Sequence, residues 1–142
     1  MSVTGAPVSQ CQQRLAVVWF LGSALVLILM LGQTIGGKYG TQYPKAWSWF
    51  LPTVLPTLSL IVGALAHDAR RQTAATVNRF AYQMSLALSL FYLLLVVGTI
   101  LLQPLAMMNP LELLSTSHLW LGPLQGLIGI SLGVFFGSRR TP

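Results

Sequence analysis

Few side chains in this sequence are equipped for chemistry, and they are scattered. His67 is followed by Asp68 at the end of one uncharged stretch, and Glu112 and His118 lie at the start of another. Neither pair sits in His-Glu-x-x-His or in a Cys/His spacing that would hold zinc. No phosphate-binding glycine loop, nucleophile elbow or paired carboxylates can be found. The two histidines therefore read as boundary residues, with interfacial pH sensing as the functional alternative. Cys11 is the single cysteine, so no intramolecular disulfide can form. It reads as an inert thiol, the alternative being reversible acylation beside a membrane. The expectation is a protein that is not an enzyme and carries no cofactor and no metal.

The most organised polar pattern is a seam. Asn78, Tyr82, Ser85, Ser89, Tyr92, Val96, Thr99 and Gln103 recur at alternating intervals of four and three, which traces one stripe along one face of a helix. All but Val96 can hydrogen-bond, while the residues between them are mostly Leu, Ala, Phe and Val. Such groups must turn away from lipid, where they would stay unpaired. The bland reading is hydrogen-bonded glue between helices, each contact worth about 0.6–2 kcal/mol. The functional reading is the wall of a pore or polar cavity.

A second pattern is made of glycine. Gly122, Gly126, Gly129, Gly133 and Gly137 fall at intervals of four, three, four and four. Small residues at this spacing let two helix backbones approach closely, so this face is expected to pack tightly, against this chain or another. Pro52 and Pro56 form a third feature. Proline lacks the N–H that its helix needs four residues back, so Pro56 frees the carbonyl of Pro52 and predicts a kink. Thr53 and Thr57 are placed to satisfy backbone groups there.

The elements that hold these residues follow from composition. The chain has 142 residues, 54% hydrophobic and only 7% charged, with a mean hydropathy of +0.71. A soluble domain carries about 25% charged residues, so ten charges cannot cover a water-facing surface here, and a soluble enzyme domain is excluded. Four uncharged stretches are each long enough for the roughly 20 residues of a membrane span. The spans are expected near 15–36, 47–66, 80–102 and 119–137. The fold class expected is all-α, a polytopic four-helix membrane bundle with antiparallel neighbours, forming a single domain over 1–142 with no soluble domain. Asn109-Pro110-Leu111-Glu112 resembles a helix start and suggests a short interfacial helix before the fourth span.

Charge and aromatics give an orientation. The net charge is +6, but the basic residues are dispersed rather than clustered with aromatics, so no nucleic acid is expected as a partner. Membrane lipids are the natural counter-charge. Arg14, Arg70, Arg71, Arg79, Arg139 and Arg140 fall on one side of a four-span arrangement, Lys38 and Lys45 on the other. The positive-inside rule then puts both termini in the cytoplasm, in a plasma or bacterial inner membrane. Tyr39, Tyr43, Trp47, Trp49 and Trp120 are expected to form an outer aromatic belt, with Trp19 and Tyr82 near the inner headgroups. The first functional expectation is a homo-oligomeric pore gated by a partner or by assembly. The second is a structural transmembrane subunit or anchor of a larger complex, and the third a small lipid-active enzyme or carrier.

Overall fold

The computed structural model describes residues 8–69 and 79–137. Among these the fold is all-helical. The helices are α1 (Val8–Ile35), α2 (Tyr43–Ala69), α3 (Arg79–Leu101) and α4 (Pro110–Gly137), with single 3-10 turns at Gly40–Gln42 and Gln103–Leu105. All four are long and apolar enough to cross a membrane. At 1.5 Å per residue they reach roughly 35–42 Å, longer than a hydrocarbon core of about 30 Å.

Each end has a local cause. Past α1, Gly37 takes a φ of +73°, and the Lys38 N–H reaches the Gln33 carbonyl at 3.1 Å while the Gly37 N–H reaches Thr34 at 3.1 Å. This is the six-to-one and five-to-two bonding that closes a helix on a left-handed glycine. The third helix stops at Leu101, just before Gln103-Pro104, as the sequence suggests. At the start of α4, the Asn109 carbonyl accepts the Leu113 N–H at 3.0 Å, with Pro110 in the first helical position. The expected separate interfacial helix is not formed. Helix α4 runs unbroken from Pro110 into the apolar stretch, because nothing before Pro123 interrupts its backbone ladder.

Packing follows a ring: α1 lies against α2 and α3, and α4 lies against those same two helices. Ser85 near the start of α3 meets Ser131 near the end of α4. On the other side, Trp49 and Pro52 of α2 meet Ser117 and Gln125 of α4 in ascending order. Consecutive helices are not all neighbours, contrary to expectation, for α2 and α3 are not among the main packing pairs. Their connection is the longest of the three, so it need not hold its helices side by side.

The outside of the bundle is largely apolar, and several polar side chains lie within its apolar core. Large apolar side chains such as Leu21, Ile28, Leu94 and Val134 point outward, while Ser23, Thr53, Ser85, Ser89, Thr99, Gln103 and Ser117 are buried.

Candidate functional site: a polar core inside an apolar bundle

The seam of α3 lies in the middle of the ring. Ser85, Ser89, Tyr92, Val96, Thr99 and Gln103 are all buried, and Tyr82 is half-buried. Asn78 lies outside the described residues. The opposite positions Leu90 and Leu94 are exposed. What the seam touches is mainly this chain. The hydroxyls of Ser85 and Ser131 are 2.7 Å apart, the Tyr92 hydroxyl donates to the Thr53 carbonyl at 2.9 Å, and Thr99 donates back to Leu95 at 2.8 Å. At one end the Tyr39 hydroxyl meets the side-chain oxygens of Gln33 and, at 3.3 Å, Gln103.

The proline pair is integrated into the same network. The Pro52 carbonyl, which Pro56 leaves without its helical donor, accepts the side-chain N–H of Gln125 from α4 at 2.9 Å. Gln125 also reaches the Thr53 carbonyl at 3.3 Å, and the Thr53 hydroxyl donates to the Trp49 carbonyl. A defect in one helix is thus repaired by a neighbour, as is usual where proline is tolerated in a membrane span. Gln125 is a residue that the sequence reading missed. It is the one side-chain amide in the apolar stretch of α4, and an isolated amide opposite a proline-freed carbonyl was the available signal.

Several of the aromatics expected at the membrane boundaries turn into the bundle. Tyr39 and Trp49, expected in the outer belt, are buried, and the Trp49 indole N–H donates to the Ser117 hydroxyl at 2.8 Å. Trp19, expected near the headgroups, is fully buried with its ring 5.9 Å from that of Tyr92. Helix α1 begins at Val8, so Trp19 lies three turns into it. Tyr43 and Trp120 are exposed and Trp47 is half-buried. Burial pushes the Tyr39 hydroxyl above its ordinary value, with its hydrogen bond to Gln103 acting weakly the other way. Burial also pulls the neighbouring Lys38 ammonium down.

Among the described residues, four buried polar atoms find no protein partner: Trp19 Nε1, Ser23 Oγ, Ser89 Oγ and Gln103 Nε2. Two of them belong to the seam.

The glycine stripe behaves differently from the seam. A Cβ built on Gly122, Gly126, Gly129 or Gly133 would meet nothing within 4 Å, so this face is not packed against the rest of the chain. The surroundings of Gly137, the last residue of α4, lie outside the described residues. Close packing within the chain occurs at Gly22 instead, where a Cβ would stand 2.6 Å from Leu93 Cδ1. Gly22 has no small residue four positions away, so spacing could not reveal it.

The remaining candidates are at the helix ends. Lys45, Glu112 and His118, with Ser48 and Ser115, border a cavity of 530 Å³ between α2 and α4, and the His118 ring lies 6.3 Å from that of Trp49. His67 is exposed at the far end of α2, and the Asp68 side chain is outside the described residues. Cys11 is buried on α1, which leaves its thiol enclosed. Among the described residues no three His, Cys, Asp or Glu side chains gather as a metal site. Arg70, Arg71, Arg139 and Arg140 also lie outside the described residues. The chain matches no family model, no curated protein and no solved structure, so function rests on this geometry.

Proposed function

We propose that this chain is a non-enzymatic, multi-pass membrane protein acting as a structural subunit or anchor that docks other transmembrane helices. In this reading its four helices alternate in direction across a plasma or bacterial inner membrane, with both termini cytoplasmic. The partners are lipids and either further copies of the chain or other membrane subunits. One observation carries the choice. The hydrogen-bonding seam is engaged mostly inside the bundle, whereas the glycine face of α4 is left open. A seam turned inward cannot also line a pore between protomers, while an open small-residue face suits a second helix.

The test is Gly126→Leu and Gly129→Leu in the full chain, followed by mass in mild detergent and by unfolding. A Cβ at either position meets nothing within 4 Å and leucine is welcome in lipid, so folding should be unchanged while the assembly dissociates. If both variants assemble as the parent does, this face is not the interface.

A second reading is favoured by one observation. The unpartnered atoms of Trp19, Ser23, Ser89 and Gln103 suit an interior that holds water, and so a pore through the bundle itself, opened by a partner or by assembly.

A further inference from the structure

A groove of 710 Å³ runs along α1 and α3 on the outside of the bundle. Its polarity changes along its length. The first turns of α1 contribute Gln10, Gln13 and Arg14, and α3 contributes Tyr82 opposite them. Farther along, the walls are only Val17, Val18, Leu86 and Leu90. The two helices advance together, since Trp19 stacks on Tyr92 and Gly22 touches Leu93.

Length places the polar end at the headgroups. Helix α1 has 28 residues, about 42 Å at 1.5 Å each, against a hydrocarbon core of about 30 Å. If Ile35 sits at one boundary, roughly the first two turns project past the other. Arg14, exposed, then stands where lipid phosphates lie, and basic pockets between membrane helices suit anionic headgroups. Among the described side chains no acidic residue lines the groove. A partner helix is a poor occupant, because the walls lack the small residues that close helix contact needs.

We propose that this groove binds an anionic phospholipid, with its phosphate on Arg14, Gln10, Gln13 and Tyr82 and an acyl chain along the four apolar residues. The proposal requires only that the bundle is in a membrane, so it stands or falls separately from the docking role of α4.

The experiment incubates the purified full chain in mild detergent with equal phosphatidylglycerol and phosphatidylcholine of matched chains, and counts retained lipid by native mass spectrometry. The parent should retain phosphatidylglycerol preferentially. Arg14→Gln should cut that preference about five-fold, the worth of one near-surface basic residue. Leu90→Trp should lower retention of both lipids by filling the groove. Leu94→Trp, also at an exposed position but outside the groove, should not. Inorganic phosphate at millimolar concentration should not displace the lipid. An unchanged preference in Arg14→Gln, equal effects of the two tryptophans, or displacement by phosphate alone would each overturn the proposal.

Discussion

Replacing Ser89 with alanine should stabilise the fold or leave it unchanged, although Ser89 sits in the middle of the polar seam. Its hydroxyl is fully buried and has no protein partner. A buried, unpaired hydroxyl costs about 1–3 kcal/mol. Removing it leaves a void smaller than the ~30 Å³ share of a water, which at ~24 cal/mol per Å³ costs less than about 0.7 kcal/mol. The net change should therefore favour alanine by roughly 0.3–2 kcal/mol. Ser85 is the matched control, one turn earlier on the same face. Its hydroxyl is 2.7 Å from that of Ser131, so Ser85→Ala should lose about 0.6–2 kcal/mol. Helix propensity changes equally in both, so the two variants should differ by about 1 kcal/mol or more. The assay is unfolding of the full chain in mixed micelles titrated with denaturing detergent, read by fluorescence of the buried tryptophans. If Ser89→Ala loses as much as Ser85→Ala, the Ser89 hydroxyl has a partner in solution. Water would be that partner, and the hydrated-interior reading would displace the structural one.

Two further outcomes follow from the same network. Gln125→Leu keeps the side chain's bulk but strands the Pro52 carbonyl, so it should lose about 1–3 kcal/mol; Pro56→Ala restores a backbone donor to that carbonyl and should reduce the loss in the double variant, which a double-mutant cycle would detect. Tyr39 has its hydroxyl pushed above the ordinary value by burial, so its contribution is full below about pH 10 and is lost as pH rises through the raised folded value; the melting midpoint in detergent should fall above about pH 10 and fall less in Tyr39→Phe, equal slopes refuting the assignment.

The parts of the structure legible in the sequence were those set by periodicity. The four-and-three spacing marked the residues of α3 that share the inner face, and uncharged length located the four helices. Helix starts were harder to read, because charge marks where a helix leaves hydrocarbon and not where its backbone begins. Val8–Arg14 carries glutamines, a cysteine and an arginine that can stay helical beyond the apolar run, so α1 starts before Leu15. The same holds for Pro110–His118, which puts Leu114 and Ser117 in the core. The burial of Tyr39 and Trp49 is not legible in the sequence, because belt statistics rest on amphipathic shape alone. Each has a specific partner inside the bundle, Gln103 for Tyr39 and Ser117 for Trp49, that comes from a distant part of the chain.

The two patterned faces also differ in what they contribute to an isolated chain. Ser85 and Tyr92 gain hydrogen bonds within it, so these two members of the seam repay their burial without any partner. Each glycine in a helix interior costs roughly 0.8–1 kcal/mol relative to alanine. Gly122, Gly126, Gly129 and Gly133 touch nothing that an added methyl would displace, so within the chain that cost brings no closer packing. A backbone lying directly on the stripe would change this, since dispersion and Cα–H···O contacts need the close approach that only small residues permit. The seam therefore explains how the bundle holds together, and the glycine face supplies the reason to look for a second helix outside it.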